Sequence, residues 1–107
     1  MRFAFRTDYV ELDYRRAGKI SRELAEHADR LERLARGQME DSIGRLSADW
    51  KGEGASAYLR KENIVKEDIL RMAKDLRRTA SVLQSTAERT YRAEMRARAL
   101  GFARKYS

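Results

Sequence analysis

Apolar residues recur along the first half of the chain at Val10, Ala17, Ile20, Leu24, Ala28, Leu31, Leu34, Ala35, Ile43 and Leu46. Steps of three and four dominate, the spacing that lines one face of an α-helix. The second half repeats the pattern at Tyr58, Val65, Ile69, Met72, Leu76, Ala80, Leu83 and Ala87. It then carries it on through Tyr91, Met95, Ala99, Phe102 and Tyr106. No stretch alternates with the two-residue period of a strand, and there is no internal repeat. Asp8 followed by Glu11 offers a capping-box start, with acids at the positive end of the helix dipole. The pattern predicts an all-α chain of two helices, residues 8–47 and 54–100, joined by a turn at 48–53.

Each helix would run about 60–70 Å at about 1.5 Å per residue, and a short connection makes them antiparallel neighbours. Two such helices cover only part of each other's apolar stripe. The expected architecture is therefore a two-helix hairpin that dimerises into a four-helix bundle, with Leu24, Leu31, Ile69, Met72, Leu76 and Leu83 in the dimer core. Gly18, Gly37 and Gly44 each weaken the first helix by up to about 1 kcal/mol, a cost that close packing against a neighbour would explain.

Composition supports this picture. The 107 residues leave room for one domain, and 38% charged against 8% aromatic residues favours long amphipathic helices over a broad core. No Pro interrupts a helix. Without Cys there is no disulfide framework or thiolate chemistry. The N-terminal "MRFAFRTDYV" has Arg6 and Asp8 where a signal peptide needs an unbroken apolar run, and no segment approaches the roughly 20 apolar residues of a membrane span. Export, if it occurs, is expected to use no cleavable signal.

The net charge of +7 changes the picture further. Residues 1–50 carry ten basic and ten acidic side chains, whereas residues 51–107 carry fourteen and seven. From Arg89 onward six basic residues face one acid, Glu94. Arg89, Arg92 and Arg96 fall on one helical face with Arg98, Arg104 and Lys105 nearby. Residues 89–107 thus read as a basic arm that docks a protein partner first, an anionic membrane second and nucleic acid third. No recognition-helix motif supports DNA binding.

The turn holds the densest glycine in the chain and its single Trp, in "ADWKGEGASAY" from Ala48 to Tyr58. Gly52 admits the positive φ or close backbone approach that a reversal needs. Gly54, Ala55 and Ala57 open the second helix with little bulk, so that the first can lie against it. Trp50-x-Gly52 at the midpoint, followed by Gly54-Ala55-x-Ala57-Tyr58, resembles the hundred-residue W-x-G family of small proteins exported by type VII secretion systems. The resemblance spans residues 8–95. It implies a homo- or heterodimeric helical hairpin, made in the bacterial cytoplasm and carried to the cell surface or medium as a substrate or co-secreted adaptor. The partners it implies are a second copy or a paralogous W-x-G chain, the secretion ATPase, and in an alternative role a larger exported toxin that this chain escorts. In that family the W-x-G turn and the partner's C-terminal arm form one recognition element, here Trp50 and Gly52 with Tyr91 and Glu94. Tyr91-Arg-Ala-Glu94 departs from the family's Tyr-x-x-x-acid signal by one residue, which puts the role of that pair in doubt.

Catalytic chemistry finds no footing in the sequence. His27 is the only histidine, and a metal site beside it would need carboxylates alone. Glu26–Arg30, Asp29–Arg33 and Glu32–Arg36 have the four-residue spacing of solvated helix-face ion pairs. There is no glycine-rich phosphate loop and no nucleophile–base arrangement. The expectation is a non-enzyme without cofactor or small-molecule substrate.

Overall fold

A computed structural model describes the backbone of residues 2–106 and the side chains of residues 9–101. Helix α1 spans Arg2–Arg33, a π-helical segment Leu34–Met39, helix α2 Glu40–Asp49 and helix α3 Glu53–Tyr106. Among the described residues only Trp50, Lys51 and Gly52 are non-helical and no strand occurs, so the chain is all-α.

The boundaries differ from expectation at both ends. Helix α1 starts at Arg2, which places Asp8 inside the helix and removes its capping role. Nothing in residues 2–7 breaks a helix, since the segment lacks Pro and Gly. Helix α3 runs to Tyr106 rather than ending near residue 100, because Gly101 alone costs only about 1 kcal/mol. The turn shrinks to three residues. The side chains of Asp8, Phe102, Arg104, Lys105 and Tyr106 lie outside the described residues.

The first helical stretch is interrupted by six residues of π-helix, Leu34–Met39. A physical reason lies in the stripe. From Ala35 the stripe passes through the half-buried Met39 to Ile43, two steps of four, and the eight α-helical residues so spanned overshoot a full number of turns by about 80°. A π-helical turn rotates less per residue and removes that overshoot. Ala35 is fully buried and Ile43 half-buried. Gly37 in this segment and Gly44 in α2 have open space where a Cβ would sit, so close packing does not explain either glycine.

Two compact units divide the chain, residues 24–78 and residues 1–23 with 79–107. In the 24–78 unit, Asp29 meets Arg77 at 2.8 Å and Glu40 meets Lys66 at 3.4 Å, so the two helical stretches run in opposite directions. In the other unit Tyr14 lies against Tyr91, and Ser21 Oγ donates a hydrogen bond to the Ala80 carbonyl at 3.1 Å, again in antiparallel order.

Small residues occupy the buried positions of both units. Ala28, Ala35, Ala55 and Ala73 are at most 2% exposed in the first, and Ser21 and Ala80 are buried in the second. Among the described residues no large side chain is fully buried. The expected core residues Leu24, Leu31, Ile69, Leu76 and Leu83 are half-buried, and Met72 is 53% exposed. The seam that joins the helices within each unit is thus an alanine seam. The seven-residue intervals of Ser21, Ala28 and Ala35, and of Ala73 and Ala80, match the period of a supercoiled helix pair.

Candidate functional site

The non-helical break is built by two backbone hydrogen bonds. The Trp50 N–H donates to the Leu46 carbonyl at 2.8 Å and ends α2, and the Ser56 N–H donates to the Gly52 carbonyl at 3.0 Å and starts α3. Trp50 itself is extended, with φ −110° and ψ 121°. Gly52 has φ +118°, a conformation that side-chain-bearing residues rarely adopt. No atom stands within 4 Å of where its Cβ would be, so backbone conformation and not space calls for glycine here. Gly54 has neither a positive φ nor a close neighbour, whereas Ala55 one residue on is buried; the small-residue opening of α3 acts through Ala55.

The Trp50 ring leans on Tyr58 with centroids 5.5 Å apart and planes inclined by 46°. Both rings remain in contact with water, 45% exposed for Trp50 and 42% for Tyr58. The pair forms an aromatic ledge on the break, offering apolar area together with an indole N–H donor. Beyond the ledge, the 24–78 unit is laced by ion pairs. Arg77 bridges Asp29 and Glu32, and Glu32 also takes Arg36 at 3.2 Å. The hydrogen bond from Arg77, and next that from Arg36, holds the Glu32 carboxyl below the usual carboxylate range. Asp29 first and Glu32 second push the Arg77 guanidinium up.

Tyr91 and Glu94 belong to the other unit, separate from the one that holds Trp50 and Gly52. Tyr91 is half-buried with its ring centroid 4.8 Å from that of Tyr14, beside a shallow groove of about 210 Å³ lined by Val10, Asp13, Leu83 and Ala87. Glu94 is half-buried and pairs with Arg98 at 3.6 Å. Of the basic arm, Arg89, Arg92 and Arg96 are exposed, whereas Arg98 is half-buried beside Glu94.

The charge distribution is where the sequence reading missed most. The basic arm shares its unit with the start of α1, which brings in Arg2, Arg6, Arg15, Arg16, Lys19 and Arg22. Twelve basic against six acidic residues give this unit a net +6, while twelve against eleven leave the 24–78 unit at +1. Because residues 1–50 sum to zero, only their division between the two units reveals that six N-terminal cations belong to the basic unit.

Among the described residues no group of three or more His, Cys, Asp or Glu side chains is placed to hold a metal ion, and no helix is long and apolar enough to cross a membrane. Compared with protein-family models, with curated proteins and with solved structures, the chain matches none.

Proposed function

We propose that the chain is a non-enzymatic helical hairpin that pairs with a second W-x-G-type chain into a four-helix bundle, as a substrate or co-secreted adaptor of a type VII secretion system. The observation that carries this reading is the break itself. A single Trp, almost half exposed, sits with Gly52 at φ +118° between two long helical stretches at the midpoint of the chain. A Trp so placed contributes little burial to folding, while large, rigid aromatic area at an exposed edge suits recognition by a partner. Pairing is supported by the half-buried Leu24, Leu31, Ile69, Leu76 and Leu83 and the exposed Met72, apolar area that the alanine seam leaves to be covered.

Trp50→Ala tests the reading. The alanine seam lacks Trp50, so helicity and thermal stability stay close to those of the unaltered chain. Export into the medium by the bacterium that encodes it is lost. Leu76→Asp serves as the folding control, since a half-buried unpaired carboxylate in the stripe disrupts packing. Normal export of a well-folded Trp50→Ala chain refutes the role of the break. A stable monomer in light scattering, both alone and with W-x-G-type chains from the same genome, refutes the bundle.

A further inference from the structure

We infer that the basic unit, residues 1–23 with 79–107, docks an acidic amphipathic helix of a different protein, and that a second copy of this chain does not cover it. The inference rests on the helix–helix part of the proposed function and not on export.

The argument starts from the outward faces of the two helical segments. On α1, Arg15, Lys19 and Arg22 follow at steps of four and three, which sets them on one face. On α3, Arg89, Arg92 and Arg96 follow at steps of three and four and share a face in the same way. All six are exposed, and none has a salt-bridge partner among the described residues. In the 24–78 unit Arg36, Lys66, Arg71 and Arg77 are paired with Glu32, Glu40, Asp68 and Asp29, and eleven acids nearly balance its twelve cations. The basic unit therefore presents two rows of uncompensated charge.

Apolar side chains stand in the same rows. Leu12 lies three residues before Arg15 and is 41% exposed. Val82 lies seven before Arg89 and Leu100 four after Arg96, at 59% and 60% exposure. A phosphate backbone offers nothing for these side chains to bury against. A bilayer takes up a continuous apolar face flanked by cations, whereas here each row is cationic with single apolar residues at its ends. A row of cations ended by isolated large apolar residues at helical spacing is the complement of a helix that presents a row of Asp and Glu with apolar residues beyond it.

A second copy fails on charge. Its own basic unit is also +6, and its 24–78 unit at +1 has no surplus of acid to offer. Like charges set against each other oppose association, and at physiological salt screening removes that repulsion only beyond about 8–10 Å.

The test uses the chain as its own partner with the charge inverted. Replacing Arg15, Lys19, Arg22, Arg89, Arg92 and Arg96 with Glu turns the basic unit from +6 to −6 and keeps its apolar residues. The control inverts six exposed cations of the other unit, Arg30, Arg33, Arg45, Arg60, Lys61 and Arg78, for the same total charge. Circular dichroism first checks that each variant is helical; should the sixfold variant unfold, Arg89→Glu, Arg92→Glu and Arg96→Glu together replace it. Sedimentation then measures self-association of the unaltered chain and its association with each variant. The expected result is at least about tenfold tighter pairing with the inverted basic unit than with itself or with the control. That gain disappears near 1 M salt, where screening acts within about 3 Å. Equal gains for the two inverted variants, or self-association of the unaltered chain as tight as the mixed pair, overturn the inference. So does tighter binding of the unaltered chain to a 20-base-pair DNA duplex or to phosphatidylglycerol vesicles than to the inverted copy. If the mixed pair fails while the unaltered chain dimerises, helix pairing stands and the acidic partner falls. A chain that pairs with neither loses both.

Discussion

Ala28→Leu puts the alanine seam to its most direct test. Ala28 has no exposed surface and lies one residue before Asp29, whose carboxylate meets Arg77 of α3 at 2.8 Å. Three further carbons have no room there unless the two helical stretches of the 24–78 unit move apart. Overpacking of this kind costs about 1–3 kcal/mol. Separation also loosens Arg77 from Asp29 and Glu32, exposed contacts that add little. The cost of about 1–3 kcal/mol is a large part of the roughly 5–15 kcal/mol that holds a domain together. At about 4–8 °C per kcal/mol for a chain of this size, Tm falls by roughly 4–24 °C. Leu31→Ala is the comparison. Leu31 is half-buried, so its truncation costs about half of the 2–5 kcal/mol expected for a fully buried Leu, or about 1–2.5 kcal/mol. In dilute solution the insertion therefore costs at least as much as the truncation, whereas in a core of large side chains the truncation costs more. Thermal unfolding followed by circular dichroism reads both. If pairing buries Leu31, the cost of its truncation rises with protein concentration while that of Ala28→Leu stays put. An Ala28→Leu chain within about 0.5 kcal/mol of the unaltered one would mean that the helices are not packed through Ala28.

Two further substitutions act on local features. Gly52→Ala keeps the space around the break open but forces a residue with a Cβ to φ +118°, so stability drops by about 1–3 kcal/mol, whereas Lys51→Ala next to it stays within about 0.5 kcal/mol; equal melting temperatures for the two would refute the backbone argument. Glu32 has its folded-state pKa lowered by Arg77 and Arg36, so its contribution is present above the unfolded-state pKa and is lost as pH falls through the lower folded-state pKa. Unfolding midpoints of the unaltered chain thus decline more between about pH 5 and about pH 3 than those of Glu32→Gln, and parallel declines would show that the Arg77 bridge does not differ between folded and unfolded states.

Period and punctuation were legible in the sequence. The steps of three and four foretell an all-α chain, and the Trp50–Gly52 stretch marks both the break and the one glycine whose backbone needs a positive φ. What hydropathy conceals is which part of a stripe does the packing. Leu31 and Ala28 belong to one apolar face, and weight by size puts Leu31 at the centre. A close helix pair instead buries the residue that lets the backbones approach, so Ala28 is covered and Leu31 only half so. The basic surface was hidden for a different reason. Arg15, Lys19 and Arg22 are offset in the first half of the sequence by acids such as Asp29, Glu40 and Asp41, which belong to the other unit. A charge sum along the chain cannot detect a surface assembled from both of its ends.

The π-helical segment left a trace that the stripe alone contained. Ser21, Ala28 and Ala35 follow at intervals of seven, whereas the stripe goes on from Ala35 through Met39 to Ile43 by two steps of four, an interval of eight. If one surplus residue is the reason for the π turn, removing one should restore a plain α-helix without moving anything that packs. Deleting the exposed Gln38 shortens the interval to seven, which leaves Ile43 within about 20° of Ala35 on the helix face. The axial length changes little, because a wider π turn rises less per residue. The deletion is therefore expected to stay within about 1 kcal/mol of the unaltered chain, far inside the roughly 5–15 kcal/mol available. Deleting Arg71 from α3 is the contrast. Arg71 is equally exposed, but α3 has no π turn to absorb the change, so every residue after it rotates by about 100° relative to those before. Ala73, Leu76 and Ala80 then leave the seam, and the chain should lose several kcal/mol or fail to fold. Thermal unfolding by circular dichroism separates the two outcomes. A Gln38 deletion as damaging as the Arg71 deletion would mean that the π turn answers some demand other than the register of the stripe.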